Sequence, residues 1–198
     1  MRFALTQNRL RSVRDFSEAG TKAAPQTSIV VQLSAQAAKA AARMGQRDDV
    51  HRILDEGYRV LGRHEHPARP ENHFVIDPQK WDFYAMDCYR LVGEDRQAAD
   101  HAREVLRISR RPDGTDSSPM RATEARLTLA VVALRQGDPD AAAEWTREAL
   151  DAPRKSVDAL LMVAEEVKRE LRRLFPNDPA SRAITDPINQ AWSELQRT

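Results

Sequence analysis

Apolar residues recur at three- and four-residue spacing along nearly the whole chain, and no run of alternating β-branched residues reaches strand length. The pattern predicts an all-α protein. It is sharpest from Ser156 to Leu174, where Val157, Leu160, Leu161, Ala164, Val167, Leu171 and Leu174 form one stripe. Glu165, Lys168, Glu170 and Arg172 lie off that stripe, so this helix is expected to bury one side only. Asp or Ser followed by Pro punctuates the chain at Asp77-Pro78, Ser118-Pro119, Asp138-Pro139, Asp178-Pro179 and Asp186-Pro187. A side-chain oxygen at the N-cap accepts a backbone N–H that has no partner within the helix, and proline at the first helical position gives up no needed donor. A helix is expected to start at each of these places.

Three segments share one layout: AQAAKAAARMGQRDDVHRILDEGYRVLG (35–62), FYAMDCYRLVGEDRQAADHAREVL (83–106) and RLTLAVVALRQGDPDAAAEWTREAL (126–150). Each reads as a helix ending near a glycine, a short polar turn and a second helix. Gly45, Gly93 and Gly137 supply the backbone freedom that a tight helix-to-helix turn needs. They are 48 and 44 residues apart. A tetratricopeptide unit repeats every ~34 residues, and the excess matches two breaker-rich insertions, Arg63 to Asp77 and Arg110 to Ser118.

On these residues the chain resembles the tetratricopeptide repeat family. In the third segment Gly137, Ala142, Ala149 and Ala130 match the motif's turn glycine and small contact positions. In the second, Gly93, Ala98 and Tyr89 match while Val105 and Met86 depart; in the first, Gly45 and Ala38 match while Val50 and Gly57 depart. From about Phe16 to Phe175 the chain also resembles the C-terminal repeat region of actinobacterial helix-turn-helix regulators of the Xre type. The runs that carry this are HFVIDPQKWDFYAMDCYRLVGEDRQAADHAREVL, PDGTDSSPMRATEARLTLAVVALRQGD and RKSVDALLMVAEEVKRELRRLFP.

The resemblance implies one tetratricopeptide-like solenoid of antiparallel helix pairs over 1–198. Its parts would be a partial leading helix in 1–27, pairs at 28–62, 79–109 and 119–152, and a long helix with a C-terminal cap at 155–198. The cap would contain Ile184, Ile188, Trp192 and Leu195 and shield the open end of the array. The opening RLRSVRDFSEAGTKAAP looks like the second helix of an earlier repeat, so the chain is expected to be a truncated or standalone sensor region without its DNA-binding part. Carrying over the family's groove positions points to Lys39 and Arg43, to Lys80, Phe83, Asp87 and Arg90, and to Glu124 and Leu127 as a partner-binding surface. Arg90 and Lys80 are expected to be exposed charges there.

Composition narrows the alternatives. Lys+Arg number 31 and Asp+Glu 30, so no global field holds the protein to nucleic acid or an anionic membrane. No window approaches the ~20 apolar residues of a membrane span, and a cytoplasmic location is expected. Arg2, Arg9, Arg11 and Arg14 give the start the look of a targeting helix, but arginine outnumbers lysine throughout, 26 to 5. Cys88, the single cysteine, falls at core spacing and reads as a small buried residue.

The run GRHEHPARPENHFVIDPQKWDFY holds His64, His66, His73 and Asp77, residue types that suit zinc or nickel. Their spacing follows no ligand pattern, and no metal or other cofactor is expected. Instead Phe74, Val75 and Ile76 read as a cover for a helix pair, with Trp81, Phe83 and Tyr84 entering the core or groove. No phosphate loop, nucleophile elbow or His-Glu-x-x-His helix is present, so the chain is expected not to be an enzyme. The expected partner is a protein or peptide, with a small signalling ligand or a second copy of the chain as further candidates and no specific DNA binding by this chain alone. The competing readings are a self-associating scaffold and a regulator that reaches DNA only through a separate helix-turn-helix partner.

Overall fold

The computed structural model describes residues 5, 7–25, 27–65, 77, 78, 80–151, 157–178 and 181–195, with side chains described over the same residues except 157–162, 194 and 195. Among these the protein is all-α. The helices are α1 (Leu10–Ala23), α2 (Ile29–Arg43), α3 (Arg47–Leu61), α4 (Lys80–Val92), α5 (Asp95–Ser109), α6 (Pro119–Arg135), α7 (Pro139–Asp151), α8 (Val157–Leu174) and α9 (Ser181–Leu195). They gather into two compact units, Met1–Glu94 and Asp95–Thr198. The boundary falls just after Gly93, inside the pair expected at 79–109, and not in either insertion.

The three glycine turns have one geometry. Gly45, Gly93 and Gly137 take φ of 72°, 76° and 86°, a region that a Cβ disfavours. At each, the N–H after the glycine reaches back five residues: Gln46 to Ala41 O at 3.0 Å, Glu94 to Tyr89 O at 2.9 Å, and Asp138 to Ala133 O at 2.9 Å. The glycine N–H meanwhile donates to Ala42, Arg90 or Leu134 O. This is the Schellman arrangement, which satisfies carbonyls that would otherwise end the helix unpaired. The sequence expectation of three equivalent turns therefore holds at the level of individual hydrogen bonds.

In the first unit α2 is the central helix. Val30, Val31, Ala35, Ala37, Ala38, Ala40, Ala41 and Ala42 are all buried, with α1, α3 and α4 packed against the helix. Alanine gives up no helix propensity and lets axes approach closely, which suits a helix with three neighbours. From α3 come Val50, Ile53, Leu54 and Gly57, and from α4 Trp81, Ala85 and Met86. Gly57 is small for a visible reason: a Cβ there would lie 2.5 Å from Trp81 Cη2 and 2.8 Å from Ser34 Cβ. Its departure from the repeat motif is made by the indole that fills the place.

In the second unit α6 has the corresponding role, buried at every position from Ala122 to Leu134. Leu127, Ala130, Val131 and Leu134 meet Ala142 and Ala149 of α7, Val163, Ala164, Val167 and Leu171 of α8, and Ile184 and Ile188 of α9. Trp192 packs alongside and donates from Nε1 to Glu165 Oε1 at 2.9 Å. Leu195, like Val157, Leu160 and Leu161, has its side chain outside the described residues. The insertion after α5 closes as a small turn, with Arg111 N–H donating to Thr115 O at 2.8 Å and Ser117 N–H to Ser109 O at 2.8 Å. Asp116 is anchored there by Arg126 at 3.0 Å.

Two expectations need correction. No helix starts at Asp186-Pro187; Pro187 lies inside α9. A proline there removes one backbone bond and costs ~3 kcal/mol, and the fully buried Ile184 and Ile188 on either side hold the helix through it. Glu170 is not on a solvated face either. Arg135 of α6 donates to Asp95 at 3.0 Å, Glu166 at 3.3 Å and Glu170 at 3.2 Å, so two acids off the apolar stripe are buried against one guanidinium. Three of the other punctuation signals fare better, and Pro179 of the fourth lies outside the described residues. α6 begins at Pro119 and α7 at Pro139, where Asp138 Oδ1 caps Ala141 N–H at 2.9 Å, while α4 begins at Lys80, two residues past Pro78.

Gly57→Ala is expected to lower the melting temperature. It gains ~1 kcal/mol of helix propensity, but forcing a methyl against Trp81 and Ser34 costs ~1–3 kcal/mol. In a Trp81→Leu background the same change should cost less, and a denaturation double-mutant cycle measures the difference. Equal penalties in both backgrounds would show that the indole does not dictate the glycine.

Candidate functional site

Of the eight residues carried over as a groove, the fold brings three together. Lys39 of α2 meets Asp87 of α4 as a close ion pair at Oδ2, and Arg90 donates to Asp87 Oδ1 at 2.5 Å. Arg43 donates to Leu5 O at 2.9 Å. Lys80 and Phe83 are half-buried at the start of α4, Phe83 edge-on to Tyr84 with ring centroids 5.8 Å apart, and Tyr84 Oη donates to Gln32 of α2 at 3.0 Å. Glu124 and Leu127 belong to the second unit, both on the buried helix α6.

Arg90 is corrected from an exposed groove charge to a buried one: 3% of it is accessible, against 5% of Asp87. Leu127, at 0%, is part of the second unit's core and presents nothing to a partner. The reason is the same in both cases. The motif's spacing picks out one side of a helix, but α4 and α6 are covered on that side as well. Lys39, with 31% of its side chain accessible, keeps a face to solvent.

The electrostatics follow from this burial. Desolvation pushes the Asp87 carboxyl up, yet Arg90 and then Lys39 outweigh it and hold the group well below its ordinary value of 3.8. Burial, with the Asp87 charge beside it, pushes the Cys88 thiol far up, so it stays protonated at neutral pH. On the same side of α2, Gln36 Oε1 is buried and takes no hydrogen bond among the described residues.

Of the histidine cluster, His66 and His73 lie outside the described residues, as do Phe74, Val75 and Ile76. No three His, Cys, Asp or Glu side chains are placed to hold a metal among those described.

The sequence reading missed a cavity of about 560 Å³ in the first unit, lined by α1, α2 and α3. Its charged lining is Arg14, Glu18, Lys22, Arg52, Glu56, Arg59 and Arg63. Positions 52, 56, 59 and 63 are spaced by four, three and four, a helical face that was readable in advance. What was not readable is that α1 and α2 complete the enclosure.

Among the described residues no helix is long and apolar enough to cross a membrane. In comparison with known protein families, curated proteins and solved structures, the chain matches none.

Asp87→Ala should destabilise the protein by ~3–5 kcal/mol, because it leaves Arg90 buried beside Lys39 without their shared counter-charge. Lys39→Ala, at a partly solvated position, should cost much less. A carboxyl held below its ordinary pKa adds stability that is complete above that value and lost as pH falls through the folded one. Thermal melts of the wild type should therefore decline below about pH 4, and Asp87→Asn should flatten that limb. An unchanged acid limb in Asp87→Asn would remove the carboxylate from this role.

Proposed function

We propose that the chain is a non-enzymatic, tetratricopeptide-like binding module, the ligand-sensing or protein-interaction part of a bacterial transcription regulator. The observation that supports this reading is the thrice-repeated Schellman turn at Gly45, Gly93 and Gly137, each between two helices. Repeats of this kind build extended surfaces that hold peptides or helices. Within the first unit, Lys39 and Arg43 from α2 with Lys80 and Phe83 from α4 supply cations and an aromatic edge to such a partner. Asp87 and Arg90 serve this surface from beneath by fixing Lys39.

The test is affinity capture by the tagged chain from a lysate of its source organism, beside a bait carrying Lys80→Glu and Phe83→Ala. Among the described residues these half-buried positions make no ion pair with a buried group, so the variant should melt within a few degrees of wild type; surface charges contribute only ~0–1 kcal/mol. A captured protein with a helix-turn-helix domain, lost with the variant bait, is the expected result. Identical capture by both baits, or specific and salt-dependent retardation of DNA by the chain alone, would overturn the reading.

A further inference from the structure

The side of α2 turned away from Lys39 carries a second and different surface. Val30, Ser34 and Ala37 recur at four and three residues and line the cavity. At about 100° per residue, Lys39 and Arg43 project from roughly the opposite side of the helix. Val30, Ala37 and Ile53 are largely buried apolar side chains that, with Val60 and Pro25, form the apolar part of a lining that also holds Ser17, Thr21 and Ser34. Its volume of about 560 Å³ falls within the range of small-molecule sites.

The rim is cationic, with five basic side chains against two acidic ones. Most of these charges are already answered. Lys22 pairs with Glu18 at 2.6 Å, Arg14 with Asp49 at 2.8 Å, and Arg52 with Asp49 at 2.6 Å and Glu56 at 3.7 Å. Arg59 and Arg63 have no ion pair among the described residues. Arg59 lies in the last turn of α3 and Arg63 two residues past its end at Leu61. Two guanidinium groups without an ion pair among the described residues, beside apolar side chains, form a site with two chemically distinct ends. A guanidinium matches a carboxylate with paired N–H donors, which selects the charged end of an occupant.

We propose that this cavity binds a small amphiphilic carboxylate, with its head group on Arg59 and Arg63 and its apolar body on Val30, Ala37 and Ile53. The inference rests on the reading of the chain as a binding module and adds a ligand class on a separate face.

Isothermal titration calorimetry of the full chain with decanoate, below its micelle concentration, tests it. Decan-1-ol and acetate supply the body and the head group alone. Decanoate should bind saturably at one site per chain, and each partial ligand should bind about tenfold more weakly or not at all. Arg59→Gln with Arg63→Gln, at exposed positions, should weaken decanoate by about tenfold or more without altering the melt. Lys80→Glu with Phe83→Ala should leave decanoate binding unchanged. Absence of saturable binding, equal binding of decan-1-ol, or full affinity in the arginine variant would overturn the proposal. Lysate capture that persists while decanoate fails brings down this inference alone; decanoate binding with no selective capture brings down the module reading and leaves the cavity assignment standing.

Discussion

Each unit is organised around one helix with several others packed against it, α2 in the first and α6 in the second. A helix in that position must satisfy two demands at once. Its side chains have to be small where neighbours cross closely, which the alanines of α2 and Ala122, Ala125, Ala130 and Ala133 of α6 provide. Any polar group it carries must find a partner, because a buried charge without one is far more costly than a lost contact. The turns, the ion clusters and the cavity all follow from how neighbours are fitted around these two helices.

The buried charges show the second demand in operation. Lys39 on α2 is answered by Asp87, which Arg90 also holds; Arg135 at the end of α6 is answered by Asp95, Glu166 and Glu170. Taking such groups out of water consumes much of what their attraction returns, so their net gain over apolar residues is small. Their effect on register is larger. Rotating α4 by one residue against α2 would move Asp87 from Lys39 and leave a cation or an anion buried alone, and turning α8 against α6 would strand two glutamates. Apolar contacts tolerate such slips far better, since one methyl group can replace another.

These particulars explain what could be read from the sequence. Helices and glycine turns are local: the period of Val163, Ala164, Val167 and Leu171, and the glycines at 45, 93 and 137, report structure within a few residues of themselves. Burial of charge is not local. Glu166 and Glu170 look like solvated residues until Arg135 arrives from another helix, and Arg90 looks exposed until α4 is packed. Pro187 was misread for the same reason, since a local rule against proline inside a helix yielded to the packing of Ile184 and Ile188. The motif-based groove positions inherited this weakness, because spacing alone chooses a side of a helix and says nothing about what covers it.

The cavity and the Lys39 surface share α2 as a common wall, and this limits how one can influence the other. A ligand changes a distant surface only to the extent that it binds two arrangements with different affinity. Displacing α2 from α4 would break the Lys39 and Asp87 contact and expose the cost of the buried carboxylate, so that side of the helix resists movement. On the cavity side, α1 is tied by Arg14 to Asp49 and Gln46 and by the apolar contact of Val13 with Leu5 and Ala40. Arg14 and Asp49 are partly solvated, so their pair is held far less firmly than the buried cluster. An occupant of the cavity thus meets a firm wall on α2 and a more yielding one on α1, and whatever it changes must be carried first by α1.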